Sequence, residues 1–420
     1  MAPSAASFPL SFGQLRLCKL AERAELPAAF TESRRFDVTG PFEPAALCAA
    51  VSMMVDRHEP LRTTFMTTAD GTPVQRVHKE GSAPVEVVDL TEATAPESEA
   101  AVSATMTRPF DLANGPLLRV AVLRLGPLDW RLVFVSHHLV ADAWSLRIFF
   151  RELAAAYAAR VTGVPLDLAP LPVQYVDWAA WQRETLTEQG ATDLLSWWRQ
   201  ELAGASWGLP TTRRRVTGRV GGRVTLKLPA DVTRELTELA RTENSTVFTA
   251  LAAACGLVVG RKVGADTMVL LVPTANREQP QTHGMLGFFV DVMPLRVDIA
   301  GTPPVSELLG RVTAALVRAH AHKALPCQRI ETELRPRAGT APVHFTYRPA
   351  PQVGGGLTLT GCTVVERPVA AVGAKFDLAI TADEHEQGLR IGAEFDRTLF
   401  DQNEITANGA RLPHSPACLR

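Results

Sequence analysis

The sequence has no CxxC pair, no basic cluster interleaved with aromatics, and no apolar run long enough to cross a membrane. Each absence removes a class of function. The six cysteines, Cys18, Cys48, Cys255, Cys327, Cys362 and Cys418, stand far apart, so reduced and mostly packed thiols are expected rather than a zinc ribbon or a redox dithiol. The formal net charge is −1, and the single basic cluster, Arg213-Arg-Arg215, follows Leu209-Pro210 without aromatic neighbours. It reads as a solvated linker in preference to a partner-docking patch, and neither nucleic acid nor membrane is an expected partner. The opening Met1-Ala-Pro-Ser-Ala-Ala-Ser7 lacks a basic region followed by an apolar core, and no segment reaches the roughly 18 uninterrupted apolar residues of a membrane span. A cytoplasmic, monomeric protein is the expectation. There is also no low-complexity tract and no sequence repeat.

What is present suits two cores. The chain has 420 residues, 46% hydrophobic and 21% charged, an ordinary globular composition with length for two domains. In the first half, hydrophobic periodicity predicts a helix over 44–56, strands at 61–65 and 74–78, a helix at 97–107, strands at 117–125 and 130–136, and a helix over 144–160. The proline-rich stretch Gly163 to Pro172 breaks the pattern, and a Trp-rich helical segment, 175–202, crosses over. The second half offers a strand at 222–228, helices at 231–241 and 246–259, a strand at 268–272 and a helix at 305–322. Strands near 344–347, 357–365, 376–382 and 389–395 follow. Strands mixed with helices in both halves predict α/β units whose sheets are covered by helices.

The most informative run is Val133-Phe-Val-Ser-His137-His138-Leu-Val-Ala-Asp142-Ala-Trp-Ser145. It places two imidazoles where an apolar strand ends and a carboxylate where a helix begins. An imidazole can hold or release a proton near neutral pH, and a carboxylate nearby can fix its loop. Two histidines without a third ligand at metal spacing do not define a zinc site, and no metal is expected. By these residues alone a second reading stands equally: Asp142 as a plain helix cap beside hydrogen-bonded loop histidines.

Further segments bear on the choice, and they occur in a family's order. His137-His138-Leu-Val-Ala-Asp142-Ala143 resembles the HHxxxDG motif of nonribosomal peptide synthetase condensation domains, part of the chloramphenicol-acetyltransferase-like acyltransferases. Ser11-Phe-Gly-Gln14-Leu-Arg16-Leu17, Arg57-His58-Glu59-Pro-Leu61-Arg62-Thr63-Thr-Phe65 and Tyr175-Val-Asp177-Trp178-Ala-Ala-Trp181 are similar to three of its other segments. So are Asn276-Arg277, Leu286-Gly287-Phe-Phe289-Val-Asp291-Val-Met-Pro294-Leu-Arg296, and Lys375-Phe376-Asp377-Leu378. Seven segments in order cover the chain from about Ser11 to Phe400.

The resemblance implies two chloramphenicol-acetyltransferase-like α/β sandwich subdomains, 1–175 carrying the motif and 176–420, as a V-shaped pseudo-dimer with the active site in the channel between them. It implies an acyltransferase that joins a carrier-bound acyl thioester to an amine or hydroxyl, giving an amide or ester without an acyl-enzyme. His138 would guide the nucleophile's proton and steady the tetrahedral intermediate, with His137 in support. Asp142 would hold the loop through an ion pair with an arginine of the second half, Arg277 being the matching residue. Gly287, Phe289 and Asp291 are channel or substrate-contact candidates, with His283 a minor one. No bound cofactor is implied; substrates arrive on carrier phosphopantetheine or as CoA thioesters. The residues themselves assign Arg57, His58 and Arg62 to folding and salt bridging, and Tyr175, Trp178 and Trp181, at helical spacing, to the core.

Three departures qualify the match. Ala143 replaces the motif glycine, where a methyl group could crowd a positive φ or a close backbone approach. Asp291 stands where the family usually has Asn, exchanging an amide donor for an acceptor. The chain beyond Phe400 turns to Gly, Pro and Ser, so a shortened or frayed terminus is expected. With no room there for a carrier or adenylation domain, a freestanding enzyme meeting its carrier in trans is expected. The paired histidines argue against the heterocyclising branch, and segments of the epimerising branch are not evident. A CoA-dependent acyltransferase and a non-catalytic, carrier-docking recruitment domain remain as alternatives.

Overall fold

The computed structural model describes residues 5–21, 30–211, 220–336, 339–349, 356–369, 375–385 and 387–409. Residues 1–4, the Arg213–Arg215 cluster, Cys418 and the tail beyond residue 409 lie outside them. The chain folds as two compact units, the first built from 1–185, 276–290 and 352–372 and the second from 186–275, 291–351 and 373–420. A single cut at residue 175 therefore does not describe it. The helix Tyr175–Thr185 stays with the first unit, and two later segments return there, one to pack on that helix and one to extend a sheet.

The first unit contains β1 (Ala5–Pro9), α1 (Phe12–Ala21), β2 (Thr31–Thr39), α2 (Pro44–Arg57), β3 (Thr63–Thr67), β4 (Pro73–His78) and β5 (Val85–Asp89). It continues with α3 (Ala95–Thr107), β6 (Leu118–Arg124), β7 (Asp129–His137), α4 (Ala143–Thr162) and α5 (Tyr175–Thr185). Its main sheet has the order Thr363–Arg367, β2, β7, β6, β5, antiparallel except between β5 and β6; a smaller one runs β1-β4-β3. Side chains alternate across a strand, and both faces of β7 are covered. Leu132 and Phe134 join Val120, Val122, Phe36 and Val38 beneath α2 and α4, while Val133 and Val135 join Ala121 and Leu123 beneath Val102 and Met106 of α3. That double burial explains why β6 and β7 read as continuous apolar runs, and it anchors the strand whose end carries the histidine pair.

Strand β2 was not among the predicted elements. Of its nine residues only Phe36 and Val38 are buried and apolar, and Glu32, Arg34, Arg35 and Asp37 mask the alternation. The predicted strand at 61–65 begins later: Pro60 sits in a 3-10 turn, Glu59–Arg62, and the strand starts at Thr63. The Arg57-His58 corner is held electrostatically. Arg57 Nε and His58 Nε2 each lie 2.9 Å from Glu152 Oε2 on α4. Burial alone would raise the Glu152 pKa, but hydrogen bonds from His58 and Arg57 hold it below the usual glutamate value.

The second unit has a mixed six-stranded sheet in the order Asp291–Asp298, Thr267–Thr274, Val343–Arg348, Leu378–His385, Gly388–Asp396, Gly221–Leu228. The helices Val247–Val263 and Val305–Ala321 pack their apolar faces into its core with Leu270, Val272, Leu295, Val297 and Phe345. Helix Glu188–Glu201, capped by Thr187, opens this unit, so the predicted 175–202 helix is two helices belonging to different units. A two-residue pairing, Leu209–Pro210 with Thr340–Ala341, completes it. Among the described residues no single helix is long and apolar enough to cross a membrane.

Phe134 is 3% exposed and meets Phe36, Phe149 and Phe150 with ring centroids 5.2–6.0 Å apart. Phe134→Ala should destabilise the protein by about 3–5 kcal/mol, read as a lowered urea midpoint with tryptophan fluorescence as the probe.

Candidate active site

The site grows from the end of β7. His137 N–H donates to the Leu117 carbonyl at 3.0 Å and His138 N–H to the Phe30 carbonyl at 2.9 Å, so the ladder holds both residues up to the turn. The turn closes through Val140 N–H to the His137 carbonyl at 3.1 Å, and Leu139, Val140 and Ala141 are buried. His137 is buried too. Its Nδ1 accepts from Leu139 N–H at 3.2 Å, so that nitrogen carries no proton and a neutral ring has its hydrogen on Nε2. Phe110 meets the His137 ring edge-on at 6.2 Å. His137 thus shapes the turn from within.

His138 points differently. Its side chain is 14% exposed, its Nε2 lies 3.2 Å from Glu32 Oε1 on β2, and its ring centroid is 6.0 Å from that of Phe288. Glu32 is a residue the sequence reading missed, because β2 itself was missed. The far side of the turn is supported by α1, where Ser11 and Gln14 form a reciprocal capping box and Gln14 Nε2 donates to the Leu139 carbonyl at 3.1 Å. The first matched segment is therefore a helix cap that also props the histidine turn.

Asp142 is the N-cap of α4, and its Oδ1 accepts from Ser145 N–H at 2.7 Å. It is also more than a cap. Arg277 Nη2 lies 3.2 Å from Oδ1, and Phe289 N–H donates to Oδ2 at 3.1 Å. Ser145 Oγ sits 2.8 Å from Asp142 Oδ1, accepts from Arg277 Nη2 at 2.8 Å and from Gly287 N–H at 3.1 Å, and lies 2.7 Å from the Gly287 carbonyl oxygen. The other guanidinium nitrogen, Nη1, donates to the carbonyls of Thr282 and of Met285, the latter at 2.9 Å. Burial lowers the Arg277 pKa from its ordinary value, with Asp142 opposing. Both side chains are almost wholly buried, so each charge answers the other, and hydrogen bonds satisfy both Nη groups while the Nε–H stays buried without a partner. Arg277 comes from late in the sequence, yet its segment, 276–290, belongs to the first unit and not the second.

That segment follows the backbone demands of its residues. Asn276 adopts φ 49° and its Nδ2 donates to the Phe289 carbonyl at 3.1 Å. Gly287 has φ 152°, and a Cβ there would fall 2.0 Å from Tyr175 Cδ2; this is why the matched segment needs glycine. Tyr175 Oη lies 2.6 Å from the Phe288 carbonyl oxygen and 2.8 Å from Ser11 Oγ. Tyr175, Trp178 and Phe289 form one aromatic cluster, with the Arg277 guanidinium 3.9 Å from the Phe289 ring centroid. Trp181 is 45% exposed and lies outside it, contrary to the reading that grouped all three aromatics in the core.

Of the contact candidates, Gly287 and Phe289 are buried in this packing instead of facing an open surface. Phe288, half-buried between them, is the one near His138. Asp291 opens the strand Asp291–Asp298 of the second unit, where its Oδ1 accepts from Val292 N–H at 2.8 Å. His283 is exposed and its Nε2 lies 2.9 Å from the Arg277 carbonyl, beside Trp144. Ala143 is exposed and is the first residue of α4. A right-handed helical position needs no glycine, so the conformational objection to the methyl group disappears. Among the described residues no three His, Cys, Asp or Glu side chains converge as a metal site.

This arrangement coincides with a known family. The condensation domain family model matches residues 4–414, and the chain belongs to that family. It is 35% identical to phosphinothricin tripeptide synthetase PhsB of Streptomyces viridochromogenes over an alignment that covers 97% of this chain and 35% of that protein. It is 33% identical to the isonitrile lipopeptide synthase of Mycobacterium tuberculosis, covering 97% of this chain and 17% of the relative. The chain thus spans only a fraction of the length of these relatives. Among solved structures it is similar to the X-domain from teicoplanin biosynthesis, with TM-score 0.82, 27% identity and coverage of 96% of this chain and 93% of the other. It shares the fold of the first condensation domain of the calcium-dependent antibiotic synthetase, with TM-score 0.79, 20% identity and coverage of 97% and 95%.

Two substitutions probe the scaffold. Arg277→Ala strands the buried Asp142 carboxylate and should cost about 3–5 kcal/mol in urea unfolding, with loss of the His138 environment by NMR. Ala143→Gly should change stability by no more than about 1 kcal/mol, since it alters only an exposed first-turn position.

Proposed function

We propose that this chain is an acyltransferase that joins an acyl group, presented as a thioester on the phosphopantetheine arm of a carrier protein, to an amine or hydroxyl acceptor. The observation that carries the reading is His138, a partly accessible imidazole on a turn otherwise committed to packing. A neutral imidazole takes the proton as the acceptor's nitrogen or oxygen bonds to the thioester carbon. The tetrahedral intermediate then collapses, the C–S bond breaks, and the same proton passes to the departing thiolate. One histidine serves both transfers, and no acyl-enzyme forms. His137 supports from within the turn, and Asp142 with Arg277 keeps the turn in register. Membership of the condensation domain family, and relatives that are tripeptide and lipopeptide synthetases, support amide formation as the main outcome.

A second reading has its own support. A complex of the teicoplanin X-domain with OxyB has TM-score 0.83 and 27% identity to this chain, which favours a docking role for some members of this fold. The two readings divide on one measurement. Product formation is followed by mass spectrometry, with acyl-loaded carrier proteins supplied as separate polypeptides together with a panel of amines and alcohols. His138→Ala should lower turnover by about 10²–10⁴-fold. Equal, background-level turnover by wild type and His138→Ala would leave the docking role standing. Turnover of acyl-CoA without any carrier would instead identify a CoA-dependent enzyme.

A further inference from the structure

The register of β2 against β7 pairs Thr31 with His137 and Glu32 with Ser136. Side chains two apart share a face of a strand, so His138, just past the end of β7, falls diagonally opposite Glu32. The contact follows: Glu32 Oε1 lies 3.2 Å from His138 Nε2, while Arg34 Nη1 holds the other carboxylate oxygen, Oε2, at 3.0 Å. Both side chains of the pair are shielded yet reachable, 14% exposed for His138 and 22% for Glu32.

We propose that Glu32 is a positioning residue for His138, its carboxylate standing at Nε2, where it fixes the ring's orientation and accepts the Nε2 hydrogen once the ring is protonated. This rests on the assignment of His138 as the proton-handling group. His138 Nδ1 is fully buried, so Nε2 is the nitrogen that takes the acceptor's proton, and it does so beside the carboxylate. The carboxylate also stabilises the imidazolium that forms when His138 takes the acceptor's proton, in the manner of any anion beside a cationic ring. Arg34, bonded to the other carboxylate oxygen, restrains Glu32 from rotating away.

The charges around the pair set the sign of its effect. On β2 stand Glu32 and Arg34, and from the strand Thr363–Arg367 Glu366 Oε1 lies 3.5 Å from Arg34 Nε. The segment 276–290 contributes the uncharged Phe288 ring, and α1 contributes the Gln14 amide to the turn. On the His137 side, Arg119 of β6 lies over the Phe110 ring at 4.3 Å. Removing the Glu32 charge takes away the contacting anion and leaves Arg34, so the imidazolium becomes less favourable and His138 titrates at lower pH.

The experiment uses the full chain with ¹³C-labelled histidine, the His138 imidazole resonance being assigned by its loss in His138→Asn. Glu32→Gln should lower the His138 titration midpoint by roughly one pH unit, and Glu32→Asp should restore at least half of that shift. The acid limb of the kcat/KM profile should move to lower pH in parallel. A His138 midpoint in Glu32→Gln within about 0.2 of wild type overturns the proposal, provided the remaining histidine resonances show the fold intact. Failure of the functional reading is separable: it appears as turnover indifferent to His138→Ala, whereas failure of this inference appears as turnover that needs His138 while its titration ignores Glu32.

Discussion

The buried pairing of Asp142 with Arg277 is the constraint on which the site depends. Two opposite charges taken out of water hold each other in place best when their remaining donors and acceptors are also met; here both Asp142 oxygens and both Arg277 Nη groups are bonded, and the buried Arg277 Nε–H is left without a hydrogen bond. Asp142 receives Ser145 N–H, Phe289 N–H and the guanidinium; the Arg277 Nη groups also donate to the Ser145 hydroxyl and to the carbonyls of Thr282 and Met285. Such a network adds little net stability compared with an apolar core. Its effect is geometric, since any shift of the α4 N-terminus or of segment 276–290 would leave a buried charge unpaired. The histidine turn, covalently joined to Asp142, inherits that precision.

Around this pair, residues of very different character act in concert. Gly287 gives way to the Tyr175 ring, Tyr175 reaches the Phe288 carbonyl and Ser11, and the Ser11-Gln14 cap extends an amide to Leu139. Three segments far apart in sequence thus close on one short turn. His137 is consumed by this architecture, through its Nδ1 and its burial, whereas His138 retains a partly accessible ring. The division of labour between adjacent and chemically identical side chains comes from strand alternation: one faces the packed interior, and the other faces Glu32 and Phe288.

The legibility of the fold followed apolar content. Strands β6 and β7 and helices α2 and α4 were readable because the covered faces demand unbroken or periodic hydrophobic residues. Strand β2 was not, since its neighbours bury only Phe36 and Val38 and its other positions are charged. That one omission hid Glu32, whose meaning lies entirely in what it is paired with. The glycine missing at Ala143 looked more serious in the sequence than it is in the fold, because only the backbone reveals that the position is helical and exposed. Phe289 and Gly287 looked like channel residues and are packing residues, while Phe288, between them, is the one near His138.

By itself the sequence determined the ordered series of motifs, the strand-to-helix junction bearing two histidines and an aspartate, and hence the family. These are local or linear properties, written in residue type and spacing. Only the tertiary structure decided which histidine is buried, that Arg277, the expected partner of Asp142, belongs to the first unit, and that Glu32 stands at His138 Nε2. Those facts depend on strand register and on contacts between segments more than a hundred residues apart, and neither leaves a periodic trace in the chain.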